Sequence, residues 1–339
     1  LIYAPLAFFT RAQAELIWDA CNALYIAAAL VIVAVFCRPT PGPPAKGGAA
    51  LAPSHGETLS HWSVRHWPSV AALIMAFFAP GIFGVADGNI EPLKLLLIVG
   101  MVAALLHRAD TTAGVLLACL SGVKVLPVLF LFALAAGGRR RAVTACLASL
   151  AVYGVMLGVT GLWRWDWVLF TRFLPDLGYD FRHESSSLGR IILKSLFPAH
   201  ADSRIAMDRL CRGIALAVLT GALASIVGRR KSPEWTWRDG LGIMALSLPL
   251  MTPLLEYHHY VWALPAYLFL FHDAIEGRLS RRRFFVRLGL WCGVFACRYA
   301  MDLKRHWPYP PLYVATLIYA ALWIIQTAPP GRRRGAPVA

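Results

Sequence analysis

Long apolar runs constrain this chain more than any other feature. Residues 16–36, 205–227, 241–255 and 309–325 are almost continuously hydrophobic. Roughly 17–25 such residues cross a bilayer as a helix. In lipid only helices and closed barrels satisfy every backbone group. Barrel strands would alternate apolar and polar over about ten residues, and these runs do not alternate. The chain therefore reads as all-α, a polytopic transmembrane helical bundle. With 58% hydrophobic and 15% charged residues it lies far from soluble globular proteins, which have about 25% charged residues.

Eleven hydrophobic segments can be marked, at about 14–37, 67–86, 91–107, 111–123, 125–136, 142–162, 205–227, 238–255, 258–276, 284–300 and 309–327. Strict alternation puts the connections 38–66, 108–110, 137–141, 228–237, 277–283 and the tail after 327 on one side. That side collects Arg139-Arg140-Arg141, Arg229-Arg230-Lys231, Arg281-Arg282-Arg283 and Arg332-Arg333-Arg334, so the positive-inside rule makes it cytoplasmic. The scheme depends on 111–136. Read as one crossing, it would put Arg139–Arg141 outside. Read as two short helices meeting near Lys124–Pro127, it puts every triplet inside. Proline, which lacks a donor and clashes with the preceding turn, favours the break.

The net charge of +15 would suggest nucleic acid in a soluble protein. Here the basic residues occupy short loops and encode topology, so no nucleic-acid partner is expected. The seven cysteines lie within or at the ends of apolar runs without a CxxC pair and read as buried, inert thiols. The region 38–66, rich in proline and glycine at its start, reads as a flexible cytoplasmic linker. Residues 163–204 form the largest external region, opened by the interfacial anchors Trp163, Trp165 and Trp167. Residues 1–330 make one transmembrane domain, and 331–339 a basic cytoplasmic tail.

Four external clusters interrupt the apolar pattern. Asp87-Gly88-Asn89-Ile90-Glu91-Pro92 is either a polar turn or a donor and acceptor set for sugar hydroxyls or phosphate. Lys124, in Gly122-Val123-Lys124-Val125-Leu126-Pro127, is either a snorkelling lysine or a cation at a helix break that holds phosphate. His183-Glu184-Ser185-Ser186-Ser187-Leu188-Gly189-Arg190 reads as a capped helix start, and such a terminus can bind an anion, with Ser187 and Arg190 at the head. Glu256-Tyr257-His258-His259-Tyr260 is an aromatic belt or carries a histidine that serves phosphate or a proton. Carboxylates beside cations suit transfer from a phosphate-linked donor, one deprotonating an acceptor hydroxyl and the others stabilising the departing phosphate. No cofactor is expected. No closed metal-ligand set is visible, and a divalent cation is neither required nor excluded.

The order of these motifs resembles glycosyltransferase family 87, the polyprenyl-phosphate-sugar-dependent membrane transferases of the GT-C class that include bacterial α-1,2-mannosyltransferases. Residues 1–9 with Leu16-Ile17-Trp18 and Asn22 look like the family's opening segment and the helix after it. Gly88-Asn89 resembles its Gly-Gln-Asn turn, one residue shorter. Gly114 through Pro127 is similar to its Gly-x-Leu-x-Gly…Lys-x-x-Pro stretch, and Glu256-Tyr257-His258-His259-Tyr260…Leu264-Pro265 to its His-Tyr…Leu-Pro element. The resemblance covers roughly 1–275.

It implies a GT-C-like fold and transfer of a hexose, most often mannose, from a polyprenyl-phosphate donor to a lipid or glycan acceptor on the non-cytoplasmic face of the plasma membrane. Lys124 and one of His258 or His259 would bind the donor phosphate region, with Asn89, Glu256, Tyr260, Ser187 and Arg190 as further donor-binding candidates. The family's catalytic aspartate would precede Leu1, so a 339-residue chain starting there is expected to be inactive. Asp87 is the fallback base. A transporter or flippase of an anionic lipid or lipid-linked sugar is the competing reading. It would need charges deep in several segments, whereas most lie at their external ends.

Overall fold

A computed structural model of the protein describes residues 8–39, 64–77, 90–168, 203–231, 235–251, 261–276, 278–279 and 282–289, with a few single positions between 192 and 199. In chain order the helices are α1 (Arg11–Phe36), α2 (Trp67–Phe77), α3 (Glu91–Leu106), α4 (Asp110–Val123), a 3-10 turn (Leu126–Leu129) leading into α5 (Phe130–Ala136), α6 (Arg140–Thr160), the short α7 (Trp163–Val168), α8 (Arg204–Arg229), α9 (Trp237–Met251) and α10 (Leu264–Ile275). A further helical piece covers 282–289. No strand occurs among the described residues. Each predicted segment as far as 284–300 overlaps one of these helices. Segment 309–327, like the basic tail, lies outside the described residues, as does most of the linker.

Local chemistry sets several ends. Thr10 opens α1 with a reciprocal capping box to Gln13, which satisfies two otherwise orphaned donors. Ser203 accepts from the Ala206 amide at the head of α8. Asp239 accepts from both the amide and the hydroxyl of Thr236 where α9 begins. Gly161 closes α6 in the left-handed region, φ 71°, a conformation glycine adopts without steric cost.

Contacts between helix ends fix their directions. His107 Nε2, just beyond α3, donates to the Phe36 carbonyl at the end of α1 (2.8 Å), so α1 and α3 finish together. Trp67 Nε1, opening α2, donates to the Val33 carbonyl (2.8 Å). Arg139, before α6, pairs with Asp110 at the head of α4 (3.0 Å) and lies 5.0 Å from the Trp237 ring at the head of α9. Arg238 in turn reaches Glu276, which ends α10 (2.7 Å). The helices therefore alternate in direction along the chain. The ends that carry Arg139–Arg141, Arg229-Arg230-Lys231 and Arg278 gather at one end of the bundle.

Length sorts the helices into an inner and an outer set. Residues 11–36, 140–160 and 205–229 are long and apolar enough to cross a membrane. Leu24, Val31, Leu147, Val155, Val159 and Leu216 on them stay exposed, which is how a lipid-facing surface looks. The shorter α3, α9 and α10 are buried nearly all round, and every residue of Gly240–Met251 is inside. Cys37, Cys146 and Cys211 are buried free thiols, but Cys119 is exposed. Its position on the outward face of α4 corrects the expectation of uniformly buried cysteines.

α4 and α6 run side by side in the same direction. A Cβ at Gly114 would come within 2.2 Å of the Ala142 carbonyl oxygen and 2.8 Å of the Ala145 Cβ. Small residues let helix backbones approach this closely. Gly114→Ala is expected to pry the two helices apart and cost about 1–3 kcal/mol, read as a lower melting temperature in detergent.

The break in 111–136 falls at Lys124. α4 ends at Val123, Lys124 is extended (φ −150°, ψ 130°), and Pro127 sits in the first turn of the 3-10 segment. The chain then returns, because Arg139 meets Asp110 where α4 began. The segment is thus a hairpin of two short helical arms with Lys124 at its apex.

At the opposite end of the bundle from Lys124, Asp273 pairs with Arg278, Arg238 with Glu276, and His272 Nε2 donates to the Cys37 carbonyl (2.8 Å). Each of these carboxylates is thus partnered by an arginine, as charges buried among helices require.

Candidate active site at the Lys124 end of the bundle

The head of α3 brings charge into the bundle. Ile90 caps it without a side-chain bond, Glu91 takes the first position and Pro92 the next. Proline is tolerated there because its missing donor would have no intrahelical partner. A carboxylate suits the positive end of the helix dipole. One turn on, the Lys94 amide bonds the Ile90 carbonyl (3.2 Å), and its side chain turns back toward the N-terminus, as helical side chains do. There it forms an ion pair with Glu91, both side chains almost wholly buried. The Lys94 ammonium also lies 5.1 Å from the ring centroid of Trp262, a fully buried residue just before α10. A buried charge is tolerated only with such company.

Lys124 stands half-buried at the hairpin apex, its amide bonded to the Leu120 carbonyl (3.0 Å). About four turns of α1 from its C-terminus, Asn22 is fully buried, and neither atom of its amide has a hydrogen-bond partner among the described residues. It belongs to the stripe Trp18, Asn22, Ala29, Val33 that faces the core.

Of the candidates read from the sequence, Lys124 and Glu91 are described. Asp87, Asn89, Ser187, Arg190, Glu256, His258, His259 and Tyr260 lie outside the described residues. Their described neighbours are Ile90, the cap of α3, and Val261 and Trp262, both buried. The sequence reading did not single out Lys94, because it fell within an apolar segment. A Glu–Lys pair three residues apart inside such a segment was the signal available.

A bundle with membrane-length apolar helices outside, charge buried at one end and arginines gathered at the other has the makeup of an enzyme or transporter embedded in a bilayer. The sequence profile of glycosyltransferase family 87 matches residues 1–253, and the chain belongs to that family. Its family is thus one that transfers a sugar from a donor to an acceptor. The match takes in Trp18, Asn22, Glu91, Lys94 and the Lys124 hairpin, and stops short of the Glu256–Tyr260 cluster. No curated protein and no solved structure matches the chain significantly.

Proposed function

We propose that the protein is a multi-pass membrane glycosyltransferase that moves a hexose, most often mannose in the resembling family, from a polyprenyl-phosphate donor to a lipid or glycan acceptor. The reaction takes place on the non-cytoplasmic face. The observation that carries this reading is the placement of Lys124. It is a cation at a break between two short helical arms, at the end of the bundle away from the arginine triplets, within the region matched by the family. By the positive-inside rule the arginine end faces the cytoplasm, and the Lys124 end faces out.

In this reading Lys124 holds the donor phosphate and stabilises the charge that grows on it as the sugar departs. One of His258 or His259 assists, with Asn89, Glu256, Tyr260, Ser187 and Arg190 around the donor. A carboxylate removes the acceptor proton. Asp87 is the candidate within this sequence. The test is transfer of labelled mannose from polyprenyl-phosphate-mannose in membranes that contain the full-length protein, with a nucleotide-mannose control. Transfer from the lipid donor alone is the expected result. Failure with a panel of lipid-phosphate sugars would favour the transporter reading, to be tested by lipid translocation.

A further inference from the structure

Asn22 and the Glu91–Lys94 pair lie at one height in the bundle. α1 and α3 run in the same direction and are tied together at their ends by His107 and the Phe36 carbonyl. Asn22 stands fourteen residues before Phe36 and Lys94 thirteen before His107. At 1.5 Å per residue both lie about 20 Å up from that tie. α4 pairs with α3 in the opposite sense, Gly100 against Leu116, which brings the Lys124 apex level with the first turn of α3. Three polar features of the bundle's interior therefore share one layer, and one of them is an amide whose two atoms are fully buried and unsatisfied among the described residues.

An amide in that state is costly, because its donors and acceptor have lost water without replacement. Glu91 and Lys94 neutralise one another, so this part of the layer has no surplus charge for an anion. An amide level with a neutral ion pair suits a hydroxyl-bearing ligand: Oδ1 accepts from one hydroxyl while Nδ2 donates to its neighbour. We propose that Asn22 is a sugar-binding residue, taking two adjacent hydroxyls of the hexose while Lys124 takes the phosphate that carries it. The assignment rests on the transferase reading above. It divides the donor between two groups, the sugar at α1 and the phosphate at the α4–α5 hairpin.

The alternative for a buried asparagine is a bond between helices, and binding separates the two. The probes are a short-chain polyprenyl phosphate and the same lipid bearing mannose, titrated by tryptophan fluorescence against the full-length protein in detergent. Wild type is expected to bind the mannosyl lipid at least about tenfold tighter, the worth of one or two good hydrogen bonds. Asn22→Leu, close in size and apolar, should bring the two lipids within about twofold while keeping or raising the melting temperature, since it removes unsatisfied groups. Asn22→Ala serves if the leucine variant does not fold. If wild type prefers the mannosyl lipid and the variants keep that preference, the sugar subsite is overturned and the transferase reading stands. If wild type binds both lipids equally, the subsite is likewise overturned. If wild type binds neither, the lipid-phosphate donor itself is wrong, and the assignment of Asn22 falls with it.

Discussion

Lys124→Ala is expected to lower sugar transfer by at least about 100-fold, the usual cost of removing one group that stabilises developing charge. The residue is half-buried at the end of a helix, so its truncation leaves no large cavity. Membrane insertion and melting temperature should stay near wild type. Lys124→Arg keeps the charge but moves it on a longer, planar group, and should recover only part of the rate. The readout is initial rate of labelled mannose transfer beside a melting curve for each variant. Wild-type turnover by Lys124→Ala would remove the lysine from the site and return it to the snorkelling role. His258→Ala and His259→Ala, assayed the same way, separate the aromatic belt from a phosphate contact.

The largest effect on stability is expected at the head of α3. Glu91→Ala leaves the Lys94 ammonium buried against Trp262 with its salt-bridge partner gone, and Lys94→Met leaves the Glu91 carboxylate without its counter-charge. Breaking a buried pair from one side costs about 3–5 kcal/mol. Replacing both, Glu91→Gln with Lys94→Met, should recover most of that, because no lone charge remains. A thermal unfolding series of the four proteins in detergent tests this. If each single variant melts with wild type, the pair contributes nothing to the fold. If the double variant is no better than the worse single one, the loss comes from packing rather than from charge.

The positions of the helices were largely legible in the sequence, since membrane-type helices satisfy their backbones within one segment. The apolar blocks at 91–107, 111–123 and 142–162 match α3, α4 and α6 closely. The break at Lys124 was legible from two independent signals, Pro127 and the side on which Arg139–Arg141 must fall. The pairing of helices was not legible. Arg139 finds Asp110, and Arg238 finds Glu276, through three-dimensional neighbourhood that no local pattern encodes. Lys94 was hidden for a related reason. A hydropathy window averages one lysine into a long apolar run, and only its burial against Glu91 shows that it does not reach water. Asn22 was visible as part of a motif, but its unsatisfied amide depends on what surrounds α1. The loop candidates, from Asp87 to Tyr260, remain proposals from sequence.

The hairpin at Lys124 has a consequence for supply. Its rising arm, α4, is fourteen residues long, or about 21 Å, against a hydrocarbon layer of about 30 Å. With Asp110 and Arg139 at one edge of that layer, the chain turns back roughly 9 Å short of the other edge. Non-helical backbone at such depth must be enclosed by protein or wetted from a cavity. With the lipid-linked donor proposed above, the carrier need not lift its headgroup clear of the membrane to be used. It would arrive by sideways diffusion within the leaflet, and the spent carrier would leave by the same route. Throughput would then follow the density of charged carrier in the plane of the membrane, and a second enzyme loading that carrier nearby would raise the rate without ever touching this one.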